Sequence, residues 1–158
     1  MEIIAHKMQY DGGKINSDLN VVNYSDSYYE EYQSIYNDCF RPMRTALGLS
    51  LDCCDTREQL IEKQLNIYLL IMDENIVGAV ATYKNEIDDL IVNPKYQGKG
   101  YGKKLLLYAV SKLQHKGTER ICLHVADWNR KAIRLYLQNG FQRIQTEKVT
   151  REKKHPCA

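Results

Sequence analysis

No apolar run in this 158-residue chain approaches the ~20 residues that a membrane-spanning helix needs. The N-terminus lacks a basic stretch followed by an apolar core, so no secretory signal is read there. Charge of one sign is also lacking: the net value is +2, which gives no electrostatic case for a nucleic-acid partner. Cysteine pairs are missing too. Cys39, Cys53, Cys54, Cys122 and Cys157 are odd in number and contain no Cys-x-x-Cys, so they read as reduced thiols of a cytoplasmic protein. The four histidines are scattered, and no metal is expected. Repeats and linkers are absent, and only Arg151 to Ala158 reads as a loose charged tail. What remains is a chain with 44% hydrophobic residues, long enough for one domain with a full core over 1–158.

The stretch from Glu86 to Leu113 organises the rest. Leu90, Ile91 and Val92 end a strand that Asn93 and Pro94 stop. Leu105, Leu106, Ala109, Val110 and Leu113 recur at helical spacing and mark a long helix. Between them, Gly98, Gly100 and Gly102 remove side chains where the backbone turns at the helix start. Free N–H groups and the helix dipole favour an anion there, and Lys99, Lys103 and Lys104 add positive charge. This predicts a phosphate cradle.

Two phosphate signatures fail on these residues. The dinucleotide fingerprint Gly-x-Gly-x-x-Gly fits Gly98 and Gly100 but meets Lys103 at its third glycine. The P-loop fits Gly102 and Lys103 but meets Gln97 and Lys104 at its outer positions. Gln97, Gly98, Lys99, Gly100, Tyr101 and Gly102 do match Gln/Arg-x-x-Gly-x-Gly/Ala, and so resemble the GNAT superfamily of acetyl-CoA-dependent N-acetyltransferases. A second landmark, Asn129, Ala132, Leu135, Tyr136, Gly140 and Phe141, is similar to that family's Asn-x-x-Ala-x-x-Leu-Tyr-x-x-x-Gly-Phe segment. The resemblance covers roughly residues 21–149.

The resemblance implies an α/β fold with a central, mostly antiparallel sheet, a splayed strand pair and about four helices. It implies acetyl-CoA as cosubstrate, with the pantetheine arm against Leu90, Ile91 and Val92. The pyrophosphate would lie on Gln97 to Gly102, near Lys103, with Asn129 and Ala132 beside the coenzyme and Tyr136 by its sulfur. The reaction implied is direct acetyl transfer to the primary amine of a small molecule or peptide. The other class that the same loop would serve is a non-catalytic acetyl-CoA-binding sensor or interaction module. For transfer, the resemblance makes Tyr136 the candidate acid. Glu86 is the candidate base with Asp88 in reserve, because even spacing puts Glu86, Asp88, Leu90 and Val92 on one strand face.

The remaining elements follow from local signals. Residues 1–5 and 19–24 read as strands. Ser27 and Glu30 read as the capping box of a helix that Arg41 and Pro42 stop near Phe40, carrying a stripe of Tyr29, Tyr32, Ile35, Tyr36 and Phe40. Arg41 and Arg44 are readable either as solvated residues or as binders of a substrate carboxylate. A second helix, capped by Asp55 or Thr56, runs to about Leu65 with Leu60, Ile61 and Leu65 buried. Residues 67–72, 76–83 and 86–92 form a meander, and further strands cover residues 120–125 and 141–149. The last helix runs from Asn129 to about Asn139 with Ala132, Ile133, Tyr136 and Leu137 on one face. The family's closing two-strand hairpin has only one strand here, so an N-terminal strand or a partner chain must fill a gap. A homodimer through that edge or through the N-terminal strand is the expectation.

Overall fold

Asp73 and Glu74 both take left-handed backbone, with φ of 51° and 64°, and Lys84 does the same at 55°. Such residues make tight turns whose twist suits a hairpin. They join three strands of the structure, a computed structural model that describes residues 2–150. In chain order the strands are β1 (Glu2–Tyr10), β2 (Val22–Asn23), β3 (Ile67–Met72), β4 (Asn75–Tyr83), β5 (Glu86–Val92), β6 (Cys122–Ala126) and β7 (Phe141–Thr150). The helices are α1 (Tyr29–Ala46), α2 (Arg57–Glu62), α3 (Tyr101–His115) and α4 (Arg130–Gln138).

The strands form one sheet in the order β2-β3-β4-β5-β6-β1-β7. All pairs are antiparallel except β5 with β6. Alternation along β4 sends Ala79 and Ala81 to one face, where Tyr32, Tyr36, Phe40 and Leu60 of α1 and α2 pack. Val77 and Val80 go to the other face, under Leu105, Leu106, Ala109 and Val110 of α3 and Ile133 of α4. The sheet is therefore covered on both sides, as expected for this fold class.

The expected gap at the end of the sheet is filled from within the chain. β1 runs between β6 and β7, antiparallel to both, with Ala5 opposite Ala126 on one side and Glu147 on the other. The N-terminal strand is thus twice its expected length. The segment after it crosses α3, where the Ile15 N–H donates to Gln114 Oε1 (2.9 Å) and the Ser17 N–H to Ser111 Oγ (3.4 Å). Leu19 and Val21 pack into the α3 core instead of pairing, so the expected strand at 19–24 shrinks to Val22–Asn23.

Helix α1 departs from its local signals at both ends. Ser27 does not cap it: its Oγ bonds Ser25 Oγ (3.0 Å), a 3-10 turn fills Asp26–Tyr28, and Tyr28 takes the N-cap position. Pro42 does not stop it. An interior proline costs on the order of 3 kcal/mol, yet α1 continues to Ala46 and buries Met43 and Arg44 beyond it. Arg44 Nε donates to the Ser50 carbonyl and anchors the following loop, while Arg41 pairs with Asp38 at 2.9 Å. Arg44 is thereby buried within the protein, while Arg41 stays on the surface in an exposed ion pair.

Helix α2 has the capping box, between Thr56 and Gln59, but ends at Glu62. Only Leu60 of the stripe is buried: Ile61 lies on the outer face of α2 and Leu65 in a 3-10 turn at Gln64–Asn66, and both are exposed where burial was expected. Leu137 on α4 is likewise exposed. The tail Arg151 to Ala158 lies outside the described residues.

Candidate active site

β5 and β6 hold register at only two rungs, Glu86 opposite Cys122 and Ile87 opposite Leu123. Beyond these they diverge. The gap opens into a cavity of about 380 Å³. Leu90, Ile91 and Val92 form one wall, and Asn129, Lys131, Ala132, Leu135 and Tyr136 of α4 and its cap form the other. Tyr96 to Gly98 and Gly100 to Lys103 form the mouth, and Cys39 and Phe40 of α1 form the floor.

The mouth is built by conformation. Gly98 and Gly100 have φ of 78° and 87°, and a Cβ on either would meet nothing within 4 Å. Their requirement is the left-handed backbone, which glycine adopts without strain. Gly100 is the N-cap of α3, and Lys104 is the first residue to bond back, its N–H reaching the Gly100 carbonyl at 3.2 Å. The preceding N–H groups of the 15-residue helix face the cavity mouth, beside Lys103. This cradle fits a pyrophosphate. Lys99 is the one expected coenzyme residue outside the lining; its ammonium lies 5.9 Å from the centre of the Tyr96 ring.

The wall offers backbone groups to the gap. The Asn93 N–H bonds the Val77 carbonyl (2.8 Å), so the adjacent Val92 turns its own N–H and C=O away from β4. The Val92 carbonyl already accepts Gln97 Nε2 (2.9 Å) and Cys39 Sγ (3.1 Å). A carbonyl has two lone pairs. The expected bonds from Val92 to a pantetheine arm are therefore limited to its N–H.

Tyr136 is the buried titratable group on the α4 wall, and the carboxylates of β5 lie outside the lining. Tyr136 is buried against Phe141, with ring centroids 6.0 Å apart, and burial followed by the charge of Asp88 raises its pKa. Its hydroxyl has no hydrogen-bond partner among the described residues, and the residue lines the cavity. On β5 the strand is not regular. Asp89 has φ of 51°, and Asp89 and Leu90 together oppose Val80, since Ala81 pairs with Asp88 and Ala79 with Ile91. This bulge overturns the expected shared face. Glu86 and Asp88 point to the α1/α2 side, while Leu90 and Val92 pack on the α3/α4 side.

Asp89 was not visible as special in the sequence. In the fold its N–H donates to Asp88 Oδ1 (2.8 Å) and its Oδ1 accepts the Tyr36 hydroxyl (2.8 Å). Burial, then the charge of Asp88, pushes its pKa up to about 7. The Tyr36 bond and Lys63, which pairs with Asp55 at 2.7 Å, pull the other way. Tyr83 adds a buried hydroxyl without a hydrogen-bond partner among the described residues, near Asp89, Asp88 and Asp55. Glu86 sits three residues earlier, bonded to His124 Nδ1 at 2.5 Å.

Of the residues the sequence left out, Leu135 and Lys131 flank named positions on α4. Phe40 is the last ring of the aromatic stripe read on α1, which is readable as core or as the lining of an acceptor pocket, whereas Cys39 had no local signal, because only packing brings α1 to the gap.

Comparison with known proteins agrees with this geometry. The chain is 38% identical over 56 residues to mouse (Mus musculus) thialysine N-epsilon-acetyltransferase, covering 35% of this chain and 33% of that protein. It is 35% identical over 89 residues to the ribosomal protein bS18-alanine N-acetyltransferase of Haemophilus ducreyi, covering 54% of this chain and 61% of that protein. The match thus spans about a third of the first relative's length and under two thirds of the second's. Two solved structures share the fold. One is PaiA N-acetyltransferase of Thermoplasma acidophilum in complex with coenzyme A (TM-score 0.65, 19% identity, 82% of this chain and 98% of that one). The other is a GNAT-family acetyltransferase of Staphylococcus aureus (TM-score 0.65, 19% identity, 83% and 99%). The sequence profile of the Acetyltransferase (GNAT) family matches residues 26–141, which takes in α1, the meander, the glycine loop and α4. With that match over most of its length, the chain belongs to the GNAT acetyltransferase family.

Proposed function

We propose that this protein is an N-acetyltransferase that moves an acetyl group from acetyl-CoA to a primary amine by direct transfer in a ternary complex. The observation that carries the reading is the β5–β6 gap. Its lining holds the glycine-loop cradle and Tyr136, whose hydroxyl has no partner among the described residues, and Asp89, with a pKa of about 7, directly precedes the lining residue Leu90 on β5. Bound acetyl-CoA supplies the activated thioester. The chain's part is to hold both substrates in place, which can account for much of the rate.

Asp89 is the proposed base. A carboxyl titrating at about 7 is matched to taking a proton from an ammonium at neutral pH. Asp88 serves it by accepting the bulge N–H. Backbone N–H groups of the diverging β5 edge are the proposed donors to the carbonyl oxygen as negative charge develops there. Tyr136 is the proposed acid for the departing thiolate. A module that only binds the coenzyme has no use for these groups, which favours the enzyme over the sensor.

By their names, the relatives above act on thialysine at its ε-nitrogen and on an alanine of ribosomal protein bS18, so the acceptor class stays to be tested. The experiment is a panel of amines with acetyl-CoA, reading free thiol. Thiol release with no amine, and none added by any amine, would count against transfer. For self-association, β1 occupies the gap that suggested a partner. Of the two edges, β2 has only two residues, and β7 carries Glu147 and Lys148 and a register shift opposite Lys7 and Met8, devices that discourage edge pairing. We propose a monomer, to be checked by light scattering.

A further inference from the structure

The Glu86–His124 pair marks the point where β5 and β6 part. Continuing their parallel register places His124 level with Asp88, one residue beyond the last paired rung. Alternation sends Leu123 and Val125 to the α3/α4 core and turns His124 to the α1/α2 side, where Glu86 and Asp88 also point. On the next strand, Lys7 pairs directly with His124 and shares its face. The His124 side chain is 32% exposed and Lys7 is half-buried, so no helix covers them.

His124 is held at one nitrogen only. Nδ1 bonds Glu86, which fixes the ring and leaves Nε2 without a partner among the described residues. Glu86 raises the imidazole's pKa, so Nε2 carries a proton over more of the neutral range. The Lys7 ammonium likewise has neither ion pair nor hydrogen bond among the described residues. Glu147 of β7, opposite Ala5, faces the same side without pairing with either. Glu86 already offsets the imidazolium charge, whereas the Lys7 ammonium opposite it has no anion of its own among the described residues, and a carboxylate between Lys7 Nζ and His124 Nε2 would supply one. Arg41 and Arg44, the cations that the sequence suggested for a substrate carboxylate, are bonded to Asp38 and Ser50.

We propose that Lys7 and His124 receive a carboxylate carried by the same acceptor molecule whose amine reacts. The inference rests on the acetyl-transfer reading above. The amine is drawn to Asp89 on β5, while the two cations stand on β6 and β1, one and two strands away. At ~4.8 Å per strand spacing this asks for a carboxylate on the order of 5–10 Å from the reacting nitrogen. A small amino acid with several methylenes between its amine and its carboxylate has that shape.

Matched acceptors test the idea. Acetyl transfer to β-alanine, 4-aminobutanoate and 6-aminohexanoate is compared with transfer to the amine of each that has a methyl group in place of the carboxylate. At least one amino acid should exceed its amine in kcat/KM by on the order of tenfold to a hundredfold, the range for a hydrogen bond to a charged group. Lys7→Met and His124→Gln should each bring that ratio toward one. A ratio near one for every pair in wild type, or a preference that survives both substitutions, overturns the proposal. If nothing is acetylated although acetyl-CoA binds, the transfer reading fails on its own. Calorimetry of the CoA-loaded protein with 6-aminohexanoate and with hexylamine then decides the present inference. Binding that needs the carboxylate and weakens in Lys7→Met supports it, and equal binding of the two overturns it.

Discussion

Ile87 and Ile91 stand four residues apart on one strand yet bury themselves in opposite cores, Ile87 under α3 and Ile91 under α1. A regular strand would put both on the same face. The extra residue at Asp89 reverses the alternation between them and swings its own carboxyl toward Tyr36. Asp89→Asn is the substitution that removes the charge and keeps the geometry, because asparagine tolerates left-handed backbone. It should lower kcat/KM by on the order of a hundredfold to ten-thousandfold. Wild-type kcat/KM should rise with pH to a plateau above about 7, and that limb should vanish in the variant. A wild-type pH profile retained in Asp89→Asn would assign the base elsewhere, with Glu86 and Asp88 the next to test.

The same substitution should stabilise the protein. Asp89 has a folded pKa of about 7 against 3.8 for a free aspartate side chain. Between those values the folded state binds the extra proton, so stability falls as pH rises across the window. The cost of ionising the buried group levels off above pH 7, with an upper bound of about 4 kcal/mol. Asp89→Asn should therefore melt above wild type at pH 8 and close to it at pH 4. A gap in melting temperature that does not change with pH would remove the linkage.

Tyr136→Phe deletes a hydroxyl that faces the cavity and bonds no described residue. Little stability should be lost, since no buried partner is left unpaired. Turnover should drop at least tenfold while acetyl-CoA affinity stays within about twofold, on the general-acid reading. Turnover equal to wild type would mean that the thiolate leaves without help.

Acetyl-CoA at a hundred times its Kd should stabilise the folded protein by about 2.7 kcal/mol, seen as a higher melting temperature. Gly100→Val forces a β-branched side chain into φ of 87° and should cost about 1–3 kcal/mol without ligand. It should also abolish the shift by displacing the helix N-terminus. A full shift in the variant would place the phosphates outside the glycine loop.

Local signals in the chain were enough for the elements whose causes are local. Asp73, Glu74 and Lys84 announce turns, Asn129 caps its helix by accepting the Ala132 N–H (3.2 Å), and the stripe from Leu105 to Leu113 is buried as its spacing implies. Two short motifs identified the family, and all but one of the residues expected at the coenzyme line the cavity, because each motif carries its own strand, turn or helix start. Tertiary structure decided the rest. Pro42 stays helical because burial beyond it outweighs a lost hydrogen bond. β1 closes the sheet because it finds two strand edges far away in sequence. The bulge at Asp89, and the meeting of Glu86, His124 and Lys7 from three strands, depend on pairing register, which no window of neighbouring residues contains.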